Sequence, residues 1–117
     1  LHESFVFDKS KDNVIVIRNQ LGSGIILQHH CRCNINNEDR GIRKLEFNGN
    51  YTINFKDSGD KRTTWNCVLS YGPKMEYFFD VEVYRAARTN RERQLREWAA
   101  RTDGIYTRRN SNKPFGP

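Results

Sequence analysis

The chain has 117 residues, 12% of them aromatic and 36% hydrophobic, which suits one domain with one core and argues against global disorder. No apolar run approaches the roughly 20 residues that span a bilayer, so membrane insertion is not expected. The net charge of +6 favours acidic partners (nucleic acid, an anionic membrane surface or an acidic polysaccharide), although solubility alone accounts for a charge of this size equally well.

The chain opens with "LHESFVFDKSKD", without an initiator Met or a basic-then-apolar leader. This is the form of a mature secreted chain after signal-peptide removal, or of a chain begun elsewhere. Residues 1–12 are set apart as an N-terminal segment. "NVIVIRNQ" is β-branched and closes on a polar turn with Gly22 and Gly24, so it reads as a strand. "IILQHHCRC" follows. At period two, Ile25, Leu27, His29, Cys31 and Cys33 share one face, and Gln28, His30 and Arg32 the other. "IRKLEF", Asn48-Gly49 and "NYTINF" read as a hairpin, because Asn-Gly accepts the positive φ angles of a two-residue turn. "TTWNCVLSY" places Trp65, Cys67, Leu69 and Tyr71 on one face. After the Gly72-Pro73 turn, "MEYFFDVEVY" does the same for Tyr77, Phe79, Val81 and Val83. Trp65 and Phe79 are therefore candidate core anchors. About six strands with regular turns indicate an all-β sandwich or barrel. The last residues, 110–117, read as a flexible tail.

Residues 85–109 do not fit this pattern. They hold eight arginines against three acidic residues, and Ala, Arg, Gln, Leu and Glu are good helix formers. Leu95, Trp98 and Ala99 make a helical stripe one turn long. Propensity alone predicts an amphipathic basic helix, which with Tyr106 and Phe115 would suit nucleic acid. No recognised nucleic-acid module accompanies it.

The chemical motifs are weak. His29, Cys31 and Cys33 are zinc-competent donors on one face, but their spacing is no zinc-finger pattern, and core or disulfide cysteines are the better reading. Neither a nucleophile elbow nor a phosphate loop is present, and no carboxylate pair is evident, so neither enzyme activity nor a cofactor is expected. Asn50-Tyr51-Thr52 is an N-glycosylation acceptor, a signal that twelve asparagines would produce about once by chance.

The motifs in order resemble those of the plant self-incompatibility S1 family, the S-protein homologues. "VIVIRNQLGSGIILQHHCRCNINNEDRG" is similar to V-x-V-x-N-x-L followed by L-x-V-H-C-K-S-K-D-D-D-L-G, through Asn19, Leu21, Leu27, His30, Cys31, Asp39 and Gly41. Gly49, Tyr51 and Phe55 match a G-x-x-Y-x-W/I-x-F strand. Thr64 and Cys67 match T-T-L-F-F-C, and Phe79, Asp80, Val81 and Tyr84 match F-D-V-Y. "REWAARTDGIY" resembles C-x-W-x-x-R-x-D-G-I-Y through Trp98, Arg101, Asp103, Gly104, Ile105 and Tyr106. Arg93 and Arg96 stand where that family has two cysteines, and Cys33 where it has Ser.

The resemblance implies a small secreted protein with a single antiparallel β-sandwich of about seven to eight strands over residues 13–109. It makes the Trp98 segment part of the last strand pair, with Asp103-Gly104 as its turn and Trp98 and Tyr106 as core anchors. Cys31 and Cys67, both expected inward, become the expected disulfide. Cys33 is then a free thiol, in a monomer or bridging a dimer. The function implied is that of a signalling ligand for a cell-surface receptor. The polar stretches 34–40, 56–62 and 85–93 are its expected recognition loops, with Glu38, Asp39, Arg40, Lys56, Asp57, Asp60, Lys61, Arg85, Arg88, Arg91 and Arg93 as contact residues. The rival reading is a nucleic-acid or anionic-surface binder using residues 85–109.

Overall fold

A computed structural model describes residues 11–58 and 62–117. Asp60 and Lys61, and the first ten residues of the N-terminal segment, lie outside the described residues. The described chain is all strand: β1 (Asn13–Asn19), β2 (Leu27–Cys33), β3 (Asp39–Leu45), β4 (Asn50–Phe55), β5 (Thr64–Tyr71), β6 (Tyr77–Arg85), β7 (Leu95–Arg101) and β8 (Gly104–Arg108). Two four-stranded sheets form, ordered β4-β1-β7-β8 and β3-β2-β5-β6. All neighbours are antiparallel except β1 and β7, which run parallel.

The period-two faces meet between the sheets. Ile15 and Ile17 of β1, Leu27 and Cys31 of β2, Ile53 of β4, Cys67 and Leu69 of β5 and Val83 of β6 are fully buried there. Trp65 is 1% exposed, and Phe55 packs on it and edge-on against Tyr84, with ring centroids 5.9 and 4.7 Å apart. Burying such side chains is worth about 2 kcal/mol each, so this cluster drives the stacking of the sheets. Cys31 and Cys67 face each other across β2 and β5 and are joined by a disulfide, S–S 2.07 Å. Cys33 is free and buried.

Four expectations are corrected. Asn48-Gly49 is not a hairpin loop, because β3 and β4 lie in different sheets. Asn48 does adopt φ 67°, in a turn closed by the Gly49 amide donating to the Glu46 carbonyl. That turn carries the chain across the sandwich, and its corner is tied to β1 by Asn48 N to Asn19 O (2.8 Å) and Asn19 N to Gly49 O (3.0 Å). The Asn19 side chain completes the corner: its amide donates to the carbonyls of Ile25 (2.8 Å) and Leu45 (2.9 Å), and its oxygen accepts from the Leu21 amide. A fully buried asparagine thus satisfies three backbone groups, those of Leu21 and Ile25 in the β1–β2 connection and of Leu45 at the end of β3.

Phe79 faces inward opposite Leu69 but is only half-buried, because β6 is the edge of its sheet and the opposing sheet does not cover it. Tyr106 is no core anchor either. Its hydroxyl donates to the Asp103 carboxylate (2.8 Å), and its ring lies under the Arg101 guanidinium at 4.3 Å. Trp98 is partly buried against the core, its indole N–H donating to the Val83 carbonyl at 3.0 Å. Residues 110–117 form no loose tail. Thr107 and Gly116 exchange backbone hydrogen bonds of 2.7 and 2.9 Å, and Phe115 lies 4.1 Å from the Arg108 guanidinium.

Candidate recognition surface

Antiparallel alternation sends the ends of β2, β4 and β6 to one end of the sandwich, where the connection 34–38, the described residues 56–58 and 62–63, and the connection 86–94 lie. These are the polar stretches expected to be recognition loops, and the structure bonds them into one surface. Asn34 links the first two: its amide donates to the Arg62 carbonyl (2.7 Å), and its oxygen accepts from the Thr64 amide (2.8 Å). Asp57 links the second to the third. One carboxylate oxygen accepts from Asn13 Nδ2 (3.1 Å) and the Tyr84 hydroxyl (2.8 Å), and the other from the Arg91 amide (3.0 Å). Asn13 adds a second tie, donating to the Arg91 carbonyl and accepting from the Gln94 amide.

Asp57 is therefore a keystone rather than a projecting contact. Burial, then the Asp57 carboxylate, push the Tyr84 phenol up to about 12, so this hydroxyl stays a donor throughout the physiological range. Asn13, Asn34 and the Tyr84 hydroxyl were not singled out by sequence. Their partners lie 27 to 81 residues away in the chain, and no local pattern encodes that.

The remaining expected contacts divide into paired and free groups. Glu38 accepts from Arg40 at 2.8 Å, and Arg40 itself lies over the Trp65 ring at 5.4 Å and donates to the Tyr51 hydroxyl, so its body packs on the core. The Gly41 amide, then His30, hold the Asp39 carboxyl below the usual carboxylate range. Arg85 grips Glu82 with two hydrogen bonds, 2.8 and 2.7 Å. Lys56 pairs with the buried Asp12 at 2.9 Å. Arg62, Arg88 and Arg93 are exposed, and their side chains make no hydrogen bond or ion pair with the described residues. The φ of 60° at Arg93 turns the chain back to β7, and its amide donates to the Lys11 carbonyl. Among the described residues, the loop end thus shows Arg62, Arg88 and Arg93 exposed and unpaired on a hydrogen-bonded base, with exposed Lys11 beside them and the half-buried Arg91 side chain also without a hydrogen bond.

The other arginines are dispersed. Arg96 points between the sheets, Arg101 stacks on Tyr106, and Arg108 joins Arg18 on the buried Glu97 at 3.1 and 2.7 Å. Burial would raise the Glu97 carboxyl, but the hydrogen bonds from Arg108 and Arg18 outweigh it and hold the group below its ordinary value. A one-faced basic helix is absent, since Leu95–Arg101 is a strand. The His29, Cys31 and Cys33 set cannot serve as a zinc trio, because the Cys31 sulfur is in the disulfide.

Comparison with known proteins agrees with this architecture. The family model for plant self-incompatibility protein S1 matches residues 14–116. S-protein homolog 30 of Arabidopsis thaliana is 48% identical over 108 residues, covering 88% of this chain and 82% of that protein. S-protein homolog 25 of the same plant is 44% identical, covering 88% and 76%. A solved self-incompatibility protein homologue, described as one of a widespread family of small, highly stable, secreted plant proteins, superposes with a TM-score of 0.73 at 38% identity, covering 92% of this chain and 93% of that one. The chain belongs to the plant self-incompatibility protein S1 family, and with it to the small secreted proteins of plants.

Proposed function

We propose that this protein is a non-enzymatic extracellular signalling ligand that is recognised by a cell-surface receptor at its loop end. The observation that carries the reading is the bonding of three polar loops, through Asn34 and Asp57, into one surface with Arg62, Arg88 and Arg93 free above it. Exposed charges held on a rigid base steer association and set specificity while losing little entropy on binding. The partner surface is accordingly acidic. Asn50, exposed at the start of β4, lies at the opposite end of the sandwich, so a glycan there would leave the loops open. The family membership supports the extracellular setting but leaves the receptor to experiment.

The test is binding of fluorescently labelled protein to plant protoplasts. Saturable binding that protease treatment of the cells removes, and that the R62Q/R88Q/R93N variant loses about tenfold, is the expected result. Binding that does not saturate, or that survives the triple substitution unchanged, would overturn the proposal. A nucleic-acid role rested on the basic helix, and the dispersal of its arginines over both faces of β7 and β8 removes that support.

A further inference from the structure

A cavity of about 190 Å³ opens where the edge strand β6 meets β7 and β8. Arg85, Arg96, Arg109, Glu82, Trp98 and Thr107 line it. Arg96 is the unusual member. It is 5% exposed, yet no carboxylate bonds it among the described residues. Its guanidinium donates to the carbonyl of its own neighbour Leu95 (2.9 Å), reaches Gln94 Oε1 only at 3.5 Å, and sits 5.4 Å from the Tyr84 ring centre. Five donors are thus left with one good bond and a ring face. Neither nearby carboxylate bonds it: Glu82 is gripped by Arg85, and Asp57, held by the neutral donors of Asn13, Tyr84 and the Arg91 amide, acts on Arg96 only through its field, which the Arg91 charge opposes. Arg109, exposed and without an ion pair, adds a second positive charge. Burial first, and the like charge of Arg109 second, push the Arg96 guanidinium down from its ordinary value. With Arg85 and Glu82 cancelling, the lining itself holds two cations, Arg96 and Arg109, that no carboxylate bonds among the described residues.

A buried guanidinium without a counter-charge is costly, and a planar fork of donors fits an oxyanion better than any other small group. We propose that this cavity binds a single oxyanion group, a carboxylate, phosphate or sulfate, with Arg96 gripping it from below and Arg109 closing on it from the solvent side. The volume admits one such group with a few attached atoms, so the ligand is a small anion or the end of a larger anionic molecule. The site is separate from Arg62, Arg88 and Arg93, and it stands or falls independently of the receptor reading.

The test is titration of the ¹⁵N-labelled protein at constant ionic strength, following the Trp98 indole N–H and the Thr107 amide by NMR. Inorganic phosphate, sulfate, methyl galacturonide and the neutral methyl galactoside are the probes. Saturable shifts with a dissociation constant of about 1 mM or tighter are expected for at least one anion. The anion that saturates identifies the group, and the neutral sugar gives no shift. Arg96→Lys, which keeps the charge but loses the fork, is expected to weaken binding about tenfold, and Arg109→Gln about threefold. Should Arg96→Lys fail to fold, the exposed Arg109→Gln variant decides. Absence of saturation with all three anions, equal shifts with the neutral sugar, or wild-type affinity in the folded variants would overturn the site.

Discussion

Single residues set the pH response of this fold. His29 is 1% exposed, with its ring 4.7 Å from that of Tyr51 and Arg43 opposite it on β3. Burial, and then the Arg43 charge, lower its pKa from 6.5 to about 4. The folded protein therefore holds His29 neutral, whereas the unfolded chain protonates it below about pH 6.5. Between these values the unfolded state binds more protons, so stability present above pH 6.5 is lost as pH falls toward 4. Lowering the pH from 7.5 to 4.5 is expected to cost about 2.5 kcal/mol through this group alone. Asp39, Glu82 and Glu97 have depressed pKa values, and their contributions are lost only at lower pH, through the carboxylate range and below. Urea unfolding of the wild type and His29→Phe at both pH values checks this. The variant should show a nearly flat response in this window, and a slope equal to the wild type would refute the assignment.

At the scale of elements, the last strands and the tail act together. The 110–117 segment lies along β8, bonded to Thr107 through Gly116, with Lys113 accepting from Arg108 and Phe115 set against Arg108 and Arg101. These arginines flank the buried Glu97 and Ala99 on the outer face, so the segment covers charged side chains that themselves cover the sheet. Removing residues 110–117 is expected to cost about 2 kcal/mol, and Phe115→Ala about 1 kcal/mol, in urea unfolding. Unchanged midpoints in both would show that the segment is not part of the fold. The same outer cover explains why β7 was the hardest element to read. Strands β2 and β5 show a clear period of two, and β1 is an apolar, β-branched run. In β7 both faces are closed: Arg96 and Trp98 face the opposing sheet, and Glu97 and Ala99 lie beneath arginines. A central strand buried partly by charge compensation has no apolar alternation, so helix propensity dominated the local signal. Asn48 was legible as a turn because positive φ is a local property, but which sheets the turn joins depends on Asn19 far along the chain. The loops were legible as polar stretches. Their union through Asp57 and Asn13 was not, because it exists only once the strand ends converge.

For the molecule as a whole, the Cys31–Cys67 bridge is the covalent tie within the core of the sandwich. It closes a loop of 36 residues, for which the chain-entropy account gives about 4 kcal/mol. Its position also bears on the recognition end. It is one of the two central pairs of the β2–β5 ladder, and two residues nearer the loop end stand Cys33 and Trp65, next to the Asn34–Thr64 contact that founds the loop surface. A C31A/C67A variant should lose about 4 kcal/mol in guanidinium unfolding while keeping the buried Cys33 thiol. Burial pushes that thiol up, and the Ile35 amide donates to its sulfur at 3.4 Å, so both proteins should resist alkylation when native, and burial also disfavours a bridge between two molecules. After denaturation without reductant, the wild type should take one alkyl group, at Cys33, and the variant likewise one. Three alkyl groups on wild type secreted through an oxidising compartment would mean that the bridge does not form. Equal unfolding midpoints for the two proteins would mean that it forms but does not hold the sandwich together.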